Sequence, residues 1–355
     1  MPDNPLHDEL TNTVGHKLKI AGLVLLGASV PIIVLLAVLR SVLQPITLQP
    51  AVQVFSLSML AIIYEAMPFI LLGALMSGMI EMFVSKQTLL RLIPKSALGQ
   101  LVVGALAGVA LPVCECGVIV VLRRLLRKGM PLKMALAYLL AAPIVNPVVI
   151  VSTFAAFRGK PEHLSMPLAR LGVGVASAVA IAAVVTLILR KWSTDSLLTP
   201  DASHEDPHHH HHHGESPSTW RKISAACDHA VMEFMEVSRY LIAGAVIAAL
   251  AQTLVPRETL IRFGHQPVLG VLGMMGMAVV LNLCSEADAF VAASFVATFS
   301  FAAKLAFLVL GPMLDLKLIV MYGMVFRRRL IVALVPTILI VVFAAVMAWF
   351  WLGPS

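Results

Sequence analysis

Long apolar segments recur along almost the whole chain and restrict its fold more than any other feature. They lie at about residues 19–39, 54–82, 97–113, 117–127, 133–157, 165–190, 228–254, 267–283, 286–302, 304–326 and 330–352. A membrane-crossing helix needs roughly 20 mostly apolar residues. Backbone groups in lipid must bond within the chain, and the segments lack the period-2 alternation of a barrel strand. We therefore expect an all-α, polytopic membrane protein.

The charged residues support a membrane location and indicate an orientation. Only 13% of the 355 residues are charged, against about 25% in a soluble domain. The basic residues form short clusters between apolar segments, such as those within 123–128 and 327–329. Such clusters are typical of cytoplasmic loops. They predict a bacterial inner-membrane protein with the polar segment 191–222 in the cytoplasm, and they do not suggest a nucleic-acid partner.

The second half of the sequence repeats the first. Glu65–Gly73 corresponds to Glu236–Gly244 at an offset of 171 residues. Cys114 corresponds to Cys284 at an offset of 170. We interpret the matched Glu65 and Glu236 as mainly structural. Each copy contains about five apolar segments, an odd number, so the second copy is expected to be inverted, with a transport site near the membrane midplane.

The repeat and the polar segments predict the domain organisation. Segment 117–127 is about 16 Å long as a helix, which is too short to cross a bilayer, so we expect a re-entrant hairpin there. The expected parts are a polar tail (1–18), an extra transmembrane helix and loop (19–50), a first repeat (51–190), a cytoplasmic His-rich linker (191–224) and a second, inverted repeat (225–355).

The first motif that could carry chemistry is Cys114-Glu115-Cys116, between Pro112 and Gly117. Thiolates select Cu(I), Zn(II) and other thiophilic species, including trivalent arsenic. Pro112 and Gly117 are expected to break the helix and expose backbone carbonyls. Two buried small cysteines at a hairpin tip are the alternative. A carboxylate within the membrane is costly, which favours a functional site.

The matching motif in the second repeat keeps Cys284 and adds Glu286 and Asp288. If both motifs reach the midplane, three thiols and up to three carboxylates converge. Metal ligands must be deprotonated to bind, so the same carboxylates could exchange protons for a cation. The alternative is that both acids face water at the end of a helix. The remaining cysteine, Cys227, stands alone at a helix start, and we interpret it as inert.

A third pattern places helix breaks at corresponding positions of the two repeats. Pro143, Asn146 and Pro147 interrupt one apolar segment, and Pro312 and Asp315 interrupt its mate. Discontinuous helices at matching places in two halves indicate a transport site. Asn146 or Asp315 could line it. Alternatively the prolines only kink the chain and Asn146 caps the next half-helix, and the two roles are compatible.

The polar linker carries a histidine tract. Histidine-rich tracts bind divalent metals, so this loop could hold metal loosely on the cytoplasmic side, although six consecutive histidines could also be a purification tag. The residues are His204, His208, His209, His210, His211, His212 and His213. No tightly bound cofactor is expected. The sequence also lacks a phosphate-binding P-loop and a His-Glu-x-x-His helix, which argues against an enzyme.

Four stretches give the chain a resemblance to a known family. They are Leu111–Gly117, Arg123–Pro131, Ala141–Pro147 and Cys284–Phe290. They resemble the predicted permease family formerly called domain of unknown function 318, which includes organoarsenical efflux permeases. The tract at 204–213 resembles the branch described as copper/zinc efflux transporters. The resemblance covers about residues 50–350 and implies export from the cytoplasm.

The sequence therefore favours an ion-coupled exporter of a thiophilic metal cation or metalloid. Copper or zinc comes first, because Glu115 stands where many relatives have serine and adds a hard ligand, and trivalent or organic arsenic comes second. The expected partners are the bilayer, the small substrate and, in an oligomer, further copies of the chain. Two alternatives stay open: a permease for a small organic solute, and a membrane metal sensor or assembly factor that transports nothing.

Overall fold

A computed structural model describes residues 50–111, 113–203, 219–254, 267–296 and 298–352. The chain divides into two compact units, Met1–Gln53 and Val54–Ser355. The second unit carries both cysteine motifs and almost all of the described residues. The predictions for the polar tail, the extra helix, Pro112 and the histidine tract lie outside the described residues.

The described chain is helical, with no strand beyond an isolated antiparallel bridge between Leu198 and Phe326. The helices are α1 (Pro50–Phe83), α2 (Lys86–Leu92), α3 (Ala97–Ala110), α4 (Glu115–Arg127), α5 (Leu132–Val145), α6 (Pro147–Ala156), α7 (Ser165–Ile188), α8 (Thr194–Leu197), α9 (Pro200–Ser203), α10 (Thr219–Leu254), α11 (Pro267–Leu281), α12 (Ser285–Ser294), α13 (Phe301–Leu310), α14 (Leu316–Val325) and α15 (Arg328–Leu352). This confirms the all-α prediction.

Five of these helical stretches are long and apolar enough to cross a membrane, within the part of the chain that the structure describes. They are Ala51–Phe83, Leu132–Ala156, Ser165–Ile188, Ala226–Leu254 and Arg328–Trp351. A sixth candidate joins α2 and α3, which are bent by 114°. Large apolar side chains stay exposed on α1, α3, α10 and α15, as expected of helices that lipid surrounds.

The helices repeat at the intervals that the sequence indicates. The starts of α4 and α12 are 170 residues apart, and those of α6 and α14 are 169 apart. The packing repeats too. Helix α3 packs on α5 as α11 packs on α13, and α4 packs on α14 as α12 packs on α6. The short helix that follows each cysteine motif (α4 or α12) therefore packs against the helix that follows the helix break in the other repeat (α14 or α6). Helices α5 and α13 are buried almost throughout and form the centre.

The two hairpins enter the protein from opposite ends. Lys128, just after α4, donates to the carbonyl oxygens of Glu81 and Val84 at 3.0 and 2.9 Å, near the end of α1. Helix α3 therefore runs inward and α4 returns to the same end. In the second repeat, Lys160, just after α6, donates to the carbonyl of Ala293 at the end of α12. The second hairpin thus returns to the end where α6 finishes, as an inverted repeat requires.

The start of the segment that joins the repeats is docked onto the protein. Thr199 donates its amide to the Val325 carbonyl at 3.0 Å, and Arg327 donates its amide to the Leu197 carbonyl at 2.8 Å. Helix α9 also packs on α4. The linker is therefore attached to the protein before residue 204 and contains the short helices α8 and α9 there, and α10 begins already at Thr219.

Candidate functional site

The two cysteine motifs meet inside the protein. Cys114 and Cys284 occupy the N-cap positions of α4 and α12. The next residues, Glu115 and Ser285, correspond in the repeat, and the Ser285 hydroxyl donates to Glu115 Oε2 at 2.6 Å. Both residues are buried. The fold therefore brings the starts of the two short helices together, which is the convergence expected of motifs that reach the midplane.

All three thiols of the motifs are buried and free. The Cys114 and Cys116 side chains lie within hydrogen-bonding range of each other. The Cys284 thiol lies near the Glu65 carboxylate, which brings a residue interpreted as structural close to the site. In the described residues no group of three or more Cys, His, Asp or Glu side chains is arranged to hold a metal ion. The three buried thiols therefore do not form a chelating cluster in the described part of the chain.

A buried lysine lies beside Glu115. Lys317, which is 3% exposed, has its ammonium 3.4 Å from Glu115 Oε1 and 3.3 Å from Asp315 Oδ2. It also donates to the Asn282 carbonyl at 3.2 Å. A cation in the first turn of a helix opposes the helix dipole. The adjacent carboxylates offset this, so the ammonium is a fixed positive charge at the meeting point of the motifs.

The predicted breaks at Asn146 and Asp315 are present, and each residue caps the next helix. The Asn146 side chain accepts from the Val148 amide at 2.9 Å, and Asp315 accepts from the Leu318 amide at 2.6 Å. Asn146 also donates to the Val113 carbonyl at 3.4 Å, which ties α6 to the first motif. The capping and site-lining interpretations are therefore compatible in the structure.

Among the predicted helix breakers, Gly117 and Pro143 lie inside helices, whereas Pro147 and Pro312 lie at the predicted breaks. Gly117 lies inside α4 and does not end a helix. Its lack of a side chain allows close packing, since a Cβ on Gly73 would come within 2.8 Å of the Gly117 Cα. Helix α5 continues through Pro143 and ends at Val145. Pro147 is the first residue of α6, where its missing N–H needs no partner. Pro312 lies in the turn between α13 and α14.

A second buried cation holds the other side of the site. Arg170 donates to the Thr153 hydroxyl at 2.7 Å and to the Ser285 carbonyl at 2.9 Å. Its guanidinium interacts electrostatically with Asp288 and Glu286. Asp288 packs against Gly311, and among the described residues its Oδ2 accepts no hydrogen bond, nor does Glu286 Oε2. Asp288 is therefore enclosed by the protein, whereas Glu286, two residues earlier, is half-buried.

Lys317 and Arg170 are two site residues that the sequence-based predictions did not include. Both are buried cations within strongly apolar segments, and an ionisable residue in such a segment is by default a candidate functional residue. Their position within apolar segments is therefore a sequence signal for both residues, distinct from the clusters of basic residues that indicate cytoplasmic loops. Cys227, which we interpreted as inert, is exposed in the structure.

Comparison with known proteins identifies the relatives of this arrangement. Residues 51–349 match the ArsP_1 family, described as a predicted permease. The UPF0718 protein YcgR of Bacillus subtilis is 43% identical over 285 residues, which are 80% of this chain and 93% of that protein. The Streptococcus mutans protein named "Putative two-component membrane permease complex subunit" is 36% identical over 278 residues, 78% of this chain and 89% of that protein. No solved structure matches the chain.

Proposed function

The chain belongs to the ArsP_1 family of predicted permeases, and we propose that it exports a thiophilic metal cation or metalloid from the cytoplasm. The observation that carries the proposal is the 2.6 Å hydrogen bond from Ser285 to Glu115. It supports a buried site between the repeats, close to Cys114, Cys116 and Cys284, which are the sequence neighbours of the two bonded residues. The interface of such repeats is the usual place for a transported substrate.

The charge of Lys317 affects which substrate the proposed site can bind. A metal cation bound at Cys116 and Glu115 would approach an ammonium that lies 3.4 Å from the same carboxylate. A metal cation bound to this carboxylate would therefore have a like charge close to it, and like charges repel strongly in a medium of low dielectric constant. A neutral trivalent arsenic species is free of this repulsion and still reacts with thiols. We therefore propose trivalent arsenic, organic or inorganic, ahead of Cu(I) and Zn(II), which reverses the order that the sequence favoured.

The acids of the second motif supply a route for coupling to protons. Asp288 and Glu286 each have a carboxylate oxygen that accepts no hydrogen bond from the described residues. Burial disfavours the charged form of a carboxylate, whereas a nearby cation favours it. Arg170 lies beside both acids and also donates to the Ser285 backbone. Protonation of these acids would therefore change the balance of charge next to the residue that bonds Glu115.

The experiment is transport into inside-out membrane vesicles that contain the full-length protein. Methylarsenite, Cu(I) and Zn(II) are supplied separately, and uptake is compared between wild type, the Cys114→Ser/Cys116→Ser variant and Cys227→Ser. The last is a matched control because Cys227 is exposed. We expect uptake of methylarsenite by wild type and the control, with loss of at least tenfold in the double variant.

Other outcomes would identify a different function. Binding without uptake of any of the three would support a metal sensor or assembly factor. Uptake that survives loss of both thiols would contradict the proposed site. A permease for a small organic solute predicts no uptake of the three species and no sensitivity of its own transport to thiol reagents.

The Streptococcus relative supports an extension of the proposal to a partner. That protein is named as a subunit of a two-component permease complex, and by analogy we propose a second subunit for this chain. Native mass spectrometry of the protein purified from its own membrane would test this. A complex whose mass is not a whole multiple of 38.1 kDa would support a partner. Masses at whole multiples of 38.1 kDa alone would indicate a homo-oligomer or a monomer.

A further inference from the structure

A basic cavity of about 290 Å³ lies between the last turns of α4 and the first half of α10. It is lined by Arg123, Arg124, Arg127, His229, Met232, Glu233 and Glu236. Three arginines and a histidine face two glutamates, so the lining carries a positive excess. We propose that this cavity binds a phosphate-bearing anion, and that the anion is the headgroup of an acidic phospholipid.

The position of the cavity along α4 fits the level of lipid phosphates. Glu115 starts α4 at the buried meeting point of the two repeats, and Arg123 and Arg127 follow eight and twelve residues later. At 1.5 Å per residue they lie about 12 and 18 Å from Glu115 along the helix. Half of the hydrocarbon core is about 15 Å. If the meeting point is at the midplane, the arginines bracket the boundary between hydrocarbon and headgroups.

The two inner arginines are held in place by carboxylates on neighbouring helices. Arg123 donates to Glu236 at 2.6 Å, and Arg124 lies 3.4 Å from both Glu233 and Glu81. Ser77 on α1 donates to the same Glu233 oxygen at 2.5 Å. These pairs fix guanidinium groups that would otherwise be mobile. Planar guanidinium groups suit the geometry of phosphate oxygens, so little ordering is needed when an anion binds.

The opposite end of the inverted repeat lacks this arrangement. Ala293 and Ser294 stand at the positions that correspond to Arg123 and Arg124, and Ile62 corresponds to Glu233. The corresponding residues of the other repeat therefore do not reproduce the lining of this cavity, which lies at the end that the basic clusters assign to the cytoplasm. Basic pockets between transmembrane helices on that side are suited to anionic lipid headgroups.

A methionine on the rim favours a lipid over a free anion. Met232 lines the cavity and is 61% exposed. Three residues further along α10, about one turn away, Met235 is 51% exposed. An apolar stripe next to the arginines would accommodate an acyl chain, while the phosphate enters the cavity. Soluble phosphate would gain nothing from that stripe.

The test measures lipid binding to the full-length protein in a neutral detergent. Phosphatidylglycerol, phosphatidylcholine and inorganic phosphate are titrated separately, with bound lipid followed by native mass spectrometry. The variants are Arg127→Gln/His229→Gln and His229→Gln alone, which serves if the double variant does not fold. Arg158→Gln is the matched control, because Arg158 is exposed in the loop after α6, at the other end of the molecule.

We expect wild type and Arg158→Gln to bind phosphatidylglycerol at least tenfold more tightly than phosphatidylcholine. The double variant should lose about fivefold or more of its affinity for phosphatidylglycerol. Competition by millimolar phosphate, with no preference for the acidic lipid, would keep the site and overturn the lipid as its occupant. Equal binding of both lipids to wild type and to the variants would overturn the proposal.

Discussion

The two cysteine motifs share a backbone frame and differ in their chemistry. Both begin a short helix after a buried cysteine N-cap, and each repeat also contains a helix whose first turn is capped by Asn146 or Asp315. The first repeat contributes two thiols and Glu115. The second contributes one thiol, Ser285 at the place of Glu115, and Lys317 at the place of Val148.

This difference shows how a symmetric frame can hold an asymmetric site. Glu115 cannot be balanced by the corresponding position of its own repeat, because Val148 on α6 is apolar and 57% exposed. Its counter-charge comes from α14 of the other repeat, which packs on α4. The hydrogen bond from Ser285 likewise crosses between repeats. The site therefore exists only when both repeats are folded and in contact.

Among the variants that test the difference between the two motifs, Lys317→Met should lower the free energy of unfolding most. It leaves Glu115 and Asp315 buried without the ammonium, and removal of one partner from a buried ion pair costs about 3–5 kcal/mol. The free energy of unfolding in detergent would measure this. Val148→Met, at the corresponding position of the first repeat, should change stability by less than about 0.5 kcal/mol.

A second variant separates the charge from the packing of Lys317. Lys317→Met combined with Glu115→Gln removes both charges of the 3.4 Å pair, so it should recover part of the lost stability. Equal stability of Lys317→Met and Val148→Met would contradict the role given to the ammonium.

Ser285→Ala should have an intermediate effect. It removes a buried hydrogen bond to a carboxylate, and hydrogen bonds to charged groups contribute about 1.5–3 kcal/mol. A double-mutant cycle with Glu115→Gln would isolate the contact between repeats. Ser294→Ala is the control, because Ser294 is exposed and bonds only to the nearby Val291 carbonyl among its described contacts. Additive effects of Ser285→Ala and Glu115→Gln would show that the two motifs are not coupled.

Asn146→Ala should have the smallest effect of the three. It removes the cap of α6, which is worth about 1 kcal/mol, whereas Asn146→Ser keeps a capping oxygen and should cost less. Thermal unfolding in detergent gives the comparison. If the serine variant is as unstable as the alanine variant, the cap does not explain the role of Asn146, and its bond to the Val113 carbonyl becomes the more important contact.

The frame of the site could be predicted because local and periodic features fix it. Apolar segment length predicts helices in lipid whatever their neighbours are. The offsets between Cys114 and Cys284 and between Asn146 and Asp315 survive in the helix starts, since caps and prolines act locally. In the structure, helices end before Asn146 and before Asp315 and new helices begin directly after them. The prediction that Gly117 breaks a helix was wrong. Gly117 lies inside α4 and allows close packing against Gly73 of α1, which is distant in sequence.

The all-helical membrane fold could be predicted from the order of residues alone, and the same order indicated the repeat and the candidate thiols and acids. Which charges oppose one another was set by helix packing. Lys317 is 202 residues from Glu115, and Arg170 is 115 residues from Ser285. Pairing at such separations is not predictable from the chain, because electrostatic contacts act over a few ångströms in space and leave no periodic signal in the sequence.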